Sequence, residues 1–481
     1  MKTKRILSIA LALAMSLSLF SGCNKTGTGS DEWIESEYEV IVDDGQDGEN
    51  ADSDSLGNGS QSTSGGNNSQ SAQGGNTDAS SSGEVRDLGG RTITYLTYWS
   101  EPVKGKTDRE TNYWKVKTEI EKKYNCKFKH VTASGDDWFN NVLTSIISGK
   151  PTCDIVSSKE IAISAMNSGL FYDLSTLKEI DLNDDKWRDA VTEVGTLNGK
   201  KYLMEAGKFL TANLILYNKD LFTAKNQEDL YTLQKNGKLT LDKLVSIMKD
   251  MYDGKKASTV VDIYAFNLHI QMGYANGGKL VTRKAGTTQF TNTINTAPII
   301  NGFKSAQELI NAGVVEMTNS DWQWARNQFE SGNYPIMIGS GDLEEIASEA
   351  DFDLGVCAFP TKDGGIVSTI SDIQWAAIPY NVKNAGDVAL VWNDMVDVIF
   401  DVNYKSRYQD IVSSDVMEFI NARSEAQVNN GLEVDYYNVI DIWDDGVGAV
   451  FNQMVSGEVT PANAIETVTP LINNKLNSLK K

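Results

Sequence analysis

Histidine and cysteine are scarce in this sequence, which limits the metal and thiol chemistry open to it. The 481 residues include two histidines, His130 and His269, and four cysteines. The cysteine spacing fits no zinc pattern, and two imidazoles add few further ligands. The sequence also has no His-Glu-x-x-His motif, no Gly-x-Ser-x-Gly elbow and no evident Cys–His pair. We therefore predict no metal site, no cofactor and none of these enzyme classes.

Long apolar runs are also lacking after the first twenty residues. Residues 6–20 form such a run, preceded by three basic residues among the first five and followed by Phe-Ser-Gly-Cys. A basic start, a short apolar stretch and small residues before a cysteine are typical of a lipoprotein signal. A plain secretory signal beside an incidental cysteine is the alternative. We predict that residues 1–23 are a lipoprotein signal peptide with a lipobox and that Cys23 carries the lipid.

The segment that follows has few side chains that could pack into a core. In residues 24–83, Gly, Ser, Asn, Gln and Asp dominate, and twelve acids against Lys25 give a net charge of −11. Low hydrophobicity combined with high net charge predicts a disordered acidic tether.

Positive charge is in the minority over the whole chain. Lys and Arg number 44 against 65 Asp and Glu, and residues 84–481 retain a net charge of −13. A nucleic-acid partner is therefore not expected, since such proteins carry a basic surface. A length of about 400 residues after the tether favours two domains.

The three cysteines beyond Cys23 are an odd number, so at most one disulfide can form among Cys126, Cys153 and Cys357. The alternation of strands and helices described below predicts a parallel sheet, and such sheets often order their first three strands 2-1-3. In that order, one strand separates Cys126 from Cys153. That gap of roughly 9 to 10 Å exceeds the reach of a disulfide. We predict buried free thiols.

The pattern of apolar residues predicts alternating strands and helices from residue 91 onward. Strands are expected at residues 91–98, 126–131 and 153–156, with helices from Asp108 and over 138–147. This alternation indicates a parallel sheet. A second unit is expected to contain a strand at 214–218, helices at 241–251 and 296–311, a strand at 334–339 and closing helices from about Thr460. Pro335 suggests an edge or crossing position for its strand.

Several short motifs occur in an order typical of one protein family. They are residues 146–156 (IISGKPTCDIV), 216–222 (LYNKDLF), 239–244 (LTLDKL), 277–278 (GG), 329–337 (FESGNYPIM), 354–360 (LGVCAFP) and 456–464 (SGEVTPANA). In this order they resemble the extracellular solute-binding proteins of carbohydrate importers, the group that includes maltose-binding protein. The resemblance spans residues 90–478. Cys153 stands where the family usually has Pro, and Asn333 and Pro335 replace the common Lys and Ala.

The resemblance implies an α/β, two-lobe, periplasmic-binding-protein-like fold of type II, with hinge strands between the lobes and ligand in the cleft. Crossings are expected near residues 209–214 and 336–342. Residues 84–210 plus 343–400 would form lobe 1, and residues 211–340 plus 401–481 would form lobe 2 with the C-terminal helices. The protein would be a monomer that delivers a sugar, and specifically an oligosaccharide, to the transmembrane subunits of an ABC permease. Its lipid anchor would hold it on the outer face of the cytoplasmic membrane.

A sugar offers apolar faces and a rim of hydroxyls, so its site needs aromatic platforms and polar side chains. Because ligands meet the carboxyl ends of strands in such lobes, lobe 1 offers Tyr98, Trp99, Glu101, Asp136, Asp137, Trp138, Ser158, Lys159 and Glu160. Candidates elsewhere are His269, Tyr274, Asn276, Trp322 or Trp324, Gln374, Trp375 and Trp443. Of these we select as ligand-binding residues Trp99, Glu101, Asp137, Trp138, Glu160, Tyr274, Asn276, Trp322, Trp375 and Trp443. The resemblance places Trp443 near a position where maltose-binding proteins stack a sugar ring.

Two alternatives remain open from the sequence. A secreted carbohydrate-active enzyme could use two of the many carboxylates, which counting does not exclude. A sensor with the same fold could present its ligand to a signalling receptor instead of a permease.

Overall fold

The first strand, β1, begins at Arg91, where branched and aromatic residues start to alternate with polar ones. In the computed structural model, the described residues are 86–105, 108–134, 138–158, 162–187, 193–206, 213–261, 266–317, 322–339, 343–370, 375–400, 408–430, 433–440, 442 and 446–479. Among them, no helix combines the length and apolar character that crossing a membrane requires. The residues predicted to form the signal peptide and the acidic tether, and Cys23, lie outside the described residues.

The first sheet contains three parallel strands and one antiparallel strand. They are β1 (Arg91–Thr97), β2 (Cys126–Thr132), β3 (Ile155–Ser158) and β14 (Trp375–Ala377), in the order β14-β3-β1-β2. The predicted 2-1-3 order of the first three strands is confirmed. At the free edge, the Glu121 carboxylate accepts a hydrogen bond from the Phe128 N–H at 2.8 Å, which satisfies a donor that an edge strand would otherwise expose.

The helices of this part of the chain follow the predicted alternation. They are α1 (Asp108–Tyr124), α2 (Trp138–Ile147) and α3 (Ala162–Asn167). Residues Ile93 and Tyr95 of β1 point to a smaller core that also contains Phe128 and Trp392. The opposite face of the sheet, with Val156 and Trp375, joins a larger core.

The second sheet is mixed, and its strands are β6 (Leu214–Asn218), β7 (Thr259–Val261), β10 (Val315–Glu316), β11 (Ile336–Gly339) and β12 (Leu354–Ala358). Their order is β10-β7-β11-β6-β12, with β6 antiparallel to both its neighbours. All five residues of β6 are buried, as expected for a strand covered on both faces. The edge position suggested by Pro335 is wrong, because β11 lies at the centre. Pro335 directly precedes the strand and so removes no ladder donor from it.

The helices that pack around the second sheet have well-defined starts. They are α4 (Lys219–Ala224), α5 (Leu230–Lys235), α6 (Leu241–Met251), α7 (Asn267–Ala275), α8 (Ala297–Asn311), α9 (Trp322–Glu330), α10 (Leu343–Glu349), α12 (Ser414–Asn430), α13 (Val447–Val455) and α14 (Pro461–Ser478). The Thr240 hydroxyl caps α6 by accepting from the Lys243 N–H, and Thr460 caps α14 in the same way. The predicted helix starts at these two threonines are confirmed.

The remaining elements are α11 (Ala385–Ile399) and three short pairs of strands. The pairs are β4 (Thr196–Leu197) with β5 (Lys200–Lys201), β8 (Val281–Arg283) with β9 (Phe290–Asn292), and β13 (Thr369–Ile370) with β15 (Glu433–Val434). Helix α11 packs on α1 and belongs to the smaller core.

The chain changes sheets at positions that differ in part from the expected crossings. It leaves the first sheet after Ala206, which forms an isolated bridge with Trp187, and enters the second sheet at Leu214. It returns between Ala358 and Trp375, not at residues 336–342, because β12 still pairs with β6. Residues 343–358 therefore pack with the second sheet, whereas the prediction placed them with the first.

The three cysteines are free and buried, as predicted. Burial raises the pKa of the Cys126 thiol to about 11 and that of Cys153 to about 12, and it also raises the pKa of Cys357. These thiols are therefore protonated at neutral pH and chemically unreactive.

Candidate ligand-binding site

The carboxyl edge of the first sheet collects three of the predicted aromatic residues. Strand β1 ends at Thr97, two residues before Trp99, and Trp138 begins the helix that follows β2. Strand β14 runs the opposite way and starts at Trp375, which pairs with Ser158 at the end of β3. The structure therefore brings Trp99, Trp138 and Trp375 to the same edge, where ligands meet α/β sheets.

Trp99 is the most accessible of the three indoles, with 48% of the residue exposed. Its ring lies 4.7 Å from that of Tyr98. Its backbone is fixed, since the Trp99 carbonyl lies 2.9 Å from Nε2 of His130. Burial of His130 lowers the pKa of its imidazole, which favours the neutral ring. An exposed indole on an anchored backbone is suited to stacking on a ligand ring.

Trp138 and Trp375 are more enclosed. Trp138 is half-buried and meets the ring of Phe139 edge-on at 5.3 Å. Trp375 is 3% exposed, and its Nε1–H finds no hydrogen-bond acceptor among the described residues. The Trp375 indole is therefore part of the core, and its N–H is not open to a ligand in this structure.

Glu101 is engaged by the protein itself. Its Oε1 accepts hydrogen bonds from the Tyr113 hydroxyl at 3.0 Å and from Nζ of Lys117 at 2.6 Å. Nearby, Nε1 of Trp114 donates to the Pro102 carbonyl at 2.8 Å. These contacts hold the loop after β1 against α1, so Glu101 fixes the loop that carries Trp99.

Sequence reasoning missed a buried polar group of side chains at this edge. Tyr95, Thr97, Ser157 and Glu205 are each at most 5% exposed. Burial raises the pKa of Tyr95 to about 12, opposed by hydrogen bonds with Ser157 and Thr97 and reinforced by the Glu205 charge. Glu205 lies between two bridge residues, Met204 and Ala206, just before the chain leaves the sheet. An acid within an otherwise apolar run was the available signal.

The candidates from the second part of the chain serve structural roles. Tyr274 is 4% exposed, and its side chain lies beside the buried Asp435 carboxylate. The Asn276 side chain donates to the Met272 carbonyl at 2.8 Å, at the end of α7. Trp324 meets the Tyr334 ring edge-on at 6.2 Å.

His269 is fully buried and cannot meet a ligand in this structure. One ring nitrogen, Nε2, lies 3.1 Å from Oε1 of Gln307, between α7 and α8. Burial lowers the pKa of the His269 imidazole to about 4, so the ring is neutral at physiological pH.

Several predicted site residues lie outside the described residues. These are Cys23, Asp136, Asp137, Lys159, Glu160, Gln374 and Trp443. For Ser158 and Trp322 the structure gives the backbone position, at the end of β3 and the start of α9. Within the described part of the chain, no group of three or more His, Cys, Asp or Glu side chains is arranged to hold a metal ion.

Comparison with known proteins gives one family match and many similar folds. The family model of bacterial extracellular solute-binding proteins matches residues 104–392. No curated protein matches the chain by sequence.

Three solved structures illustrate the similarity in fold. An ABC substrate-binding protein from Listeria monocytogenes, in complex with cycloalternan, is 16% identical with a TM-score of 0.57, covering 81% of this chain and 99% of that one. The cyclic α-maltosyl-1,6-maltose binding protein from Arthrobacter globiformis is 16% identical with a TM-score of 0.57, covering 81% and 100%. UgpB from Mycobacterium tuberculosis, in complex with glycerophosphocholine, is 16% identical with a TM-score of 0.60, covering 81% and 100%.

Proposed function

The chain belongs to the family of bacterial extracellular solute-binding proteins and has a type II periplasmic-binding-protein-like fold, and from this premise we propose that it binds an oligosaccharide. The sugar lies in a cleft between two lobes and passes to an ABC permease. Lobe 1 contains residues 86–206 and 375–400, and lobe 2 contains residues 213–358 and 408–479. This division follows the membership of the two sheets.

The row of indoles at the carboxyl edge of the first sheet carries this proposal. Trp375, Trp99 and Trp138 belong to positions at or after β14, β1 and β2, which span the whole sheet. Adjacent strands lie about 4.8 Å apart, so four strands extend over roughly 15 Å. That span exceeds one pyranose ring and favours a chain of several sugar units, with Trp99 and Trp138 as the accessible stacking platforms and Trp375 buried behind them.

The buried polar groups of this sheet are not open to a ligand in this structure. The Trp375 N–H and the Glu205 acid are neighbours through the bridge between Met204 and Ala376, and both are enclosed. The similar structures include a protein in complex with cycloalternan and a cyclic α-maltosyl-1,6-maltose binding protein, which supports an oligosaccharide as the ligand here.

The N-terminus supports delivery at the membrane surface. Residues 20–23 form a lipobox, and lipidation of Cys23 would anchor the protein outside the cytoplasmic membrane. The acidic segment 24–83 then separates the anchor from the folded part. Deletion of the gene is expected to abolish uptake of the sugar if the partner is a permease, and to leave uptake intact if it is a sensor.

A thermal-shift screen of residues 84–481 against linear and cyclic glucans, other glycans and glycerophosphodiesters tests the proposal. We expect a saturable rise in melting temperature with an oligosaccharide and no conversion of it by chromatography. In the Trp99→Ala variant, calorimetric affinity should fall by about 1 to 3 kcal/mol because a stacking platform is lost. Lys115→Ala, an exposed change on α1, is the matched control.

Three outcomes would contradict the proposal. Release of shorter products from a bound glycan would indicate an enzyme. A shift with glycerophosphodiesters alone would assign a different ligand class. Unchanged oligosaccharide affinity after Trp99→Ala combined with Trp138→Ala would show that these indoles do not hold the sugar.

A further inference from the structure

Two small hairpins, one from each sheet's part of the molecule, meet beside the crossings. The β4–β5 hairpin belongs with the first sheet, because the Lys201 N–H donates to the Asp173 carboxylate at 3.3 Å and Met204 bridges Ala376 of β14. The β8–β9 hairpin belongs with the second sheet. Asn292 donates to the Thr469 carbonyl of α14 at 3.2 Å.

Arg283, on the β8–β9 hairpin, joins the two. Its Nη1 donates to the Val194 carbonyl and its Nη2 donates to the Thr196 carbonyl at 3.0 Å. A backbone bond from Asn198 N–H to the Gly286 carbonyl, at 3.1 Å, lies alongside. One side chain thus fastens β4–β5 to β8–β9 by two charge-assisted hydrogen bonds.

The Arg283 guanidinium is also held by residues of its own part of the molecule. Its Nε donates to the Thr287 carbonyl at 2.6 Å. The rings of Phe290 and Tyr436 lie 5.7 and 5.9 Å from its central carbon. Burial lowers the pKa of Arg283, but the group remains charged at neutral pH. A planar fork oriented in this way reaches two carbonyls at once, which a lysine cannot do.

The residues that hold Arg283 are hydrogen-bonded to the segment that forms the second crossing between the sheets. The Tyr436 N–H donates to the Val281 carbonyl at 3.2 Å, and the Asp435 N–H donates to the Ile370 carbonyl at 2.8 Å. Ile370 belongs to β13, within the segment that returns the chain to the first sheet. Hydrogen bonds thus link β13 to β8 through Asp435 and Tyr436, and Arg283 links β8 to the other part of the molecule.

We propose that Arg283 is a strap that restrains the hinge of this binding protein and sets how far its two lobes separate without ligand. This inference rests on the proposed two-lobe function. In the proposed function the lobes bend about the crossings, and the strap limits this motion by tying a hairpin of one part of the molecule to a hairpin of the other. Loss of the strap releases lobe motion, and ligand affinity falls in proportion to the smaller population of the competent arrangement.

Pulsed electron resonance between two spin labels measures the restraint without any ligand. Lys127→Cys on β2 and Lys304→Cys on α8 place the labels on side chains that are each 72% exposed. The native thiols of Cys126, Cys153 and Cys357 are buried. In this labelled background we compare Arg283→Gln and Arg283→Lys with Lys284→Gln, an exposed residue of the same hairpin.

The expected distance distribution is narrow for the parent and for Lys284→Gln. It is broader and shifted in Arg283→Gln, with Arg283→Lys in between. Hydrogen exchange of the β4–β5 amides should become about tenfold faster or more in Arg283→Gln, because two bonds to a charged group are lost. Circular dichroism establishes that each variant is folded.

An unchanged distance distribution in folded Arg283→Gln overturns the strap. If Arg283→Gln does not fold, the same result in Arg283→Lys overturns it. Failure of the proposed function is distinguishable from failure of the strap. It would appear as an absence of glycan binding by the parent protein, whatever the distances between the spin labels are.

Discussion

The two parts of the molecule use their aromatic and polar side chains differently. Beside the first sheet, Trp99 is 48% exposed. Beside the second sheet, Tyr274 is buried next to Asp435, and His269 is buried with its Nε2 on Gln307. The first part presents an aromatic ring to solvent at its sheet edge, whereas the second encloses comparable side chains within a rigid support.

The difference teaches that residue type and loop position do not by themselves mark a site. Tyr274 and Asn276 have the chemistry to bind a sugar, but the first is buried beside a carboxylate and the second closes a helix. A side chain is available to a ligand only if it is accessible and its hydrogen-bonding groups are not already bonded to the protein.

The largest expected effect is a difference in stability between the alanine variants of two tryptophans at the same edge of the first sheet. Trp375→Ala should lower the free energy of unfolding by about 3 to 5 kcal/mol, because a buried indole leaves a cavity. Trp99→Ala should change it by about 0.5 kcal/mol or less, since half of Trp99 is already exposed. Urea denaturation followed by circular dichroism checks both. Equal losses would show that the two indoles are equally part of the core.

A smaller loss is expected where two helices of the second part approach most closely. A Cβ added at Gly302 of α8 would lie 2.4 Å from the Gly273 backbone nitrogen and 2.5 Å from the Met272 carbonyl carbon. Backbone atoms cannot move aside, so Gly302→Ala should cost about 3 kcal/mol of unfolding free energy.

Gly457→Ala is the matched control for the loss of a glycine. Its φ of +81° strains any side chain, but no atom lies within 4 Å, so we expect a cost of only about 1 kcal/mol. A Gly302→Ala variant as stable as Gly457→Ala would mean that α7 and α8 separate easily, contrary to the rigid support described above.

The pH dependence of the second part should be traceable to Asp435. Burial raises the pKa of this carboxyl to about 6, despite hydrogen bonds from the Leu280 and Val281 N–H groups. A pKa raised above the unfolded value means that the folded state binds more protons between pH 4 and 6. Stability from this group is therefore complete below pH 4 and is lost as pH rises to 6.

Asp435→Asn should remove this pH-dependent loss of stability, because the amide does not ionise. The unfolding free energy of the variant minus that of the parent should therefore rise by on the order of 2 to 3 kcal/mol from pH 4 to pH 7. Denaturant titrations at both pH values measure it. Asp363→Asn, at an exposed acid, is the control, and a similar shift there would assign the effect to general charge.

Much of the framework was predictable because local rules and tertiary packing agree. Thr240 caps α6 where its hydroxyl precedes an apolar repeat, and the 2-1-3 strand order follows from alternating strands and helices. The edge position for Pro335 was wrong, since proline just before a strand and proline within an edge strand look alike in sequence. The role of Asp435 was missed, because its hydrogen-bond partners, Leu280 and Val281, lie 155 and 154 residues away in the chain.

The smallest expected effect concerns the loop that carries Trp99. Glu101→Gln replaces the carboxylate that accepts from Tyr113 and Lys117. Because Glu101 is partly exposed, we expect a loss of about 1 kcal/mol of unfolding free energy. Burial raises the pKa of Tyr113, and the Glu101 charge and hydrogen bond raise it further. Ultraviolet titration of the tyrosines should therefore show one group ionising at lower pH in Glu101→Gln and not in Glu119→Gln. An unaltered titration would mean that the loop is held by Trp114 and Pro102 alone.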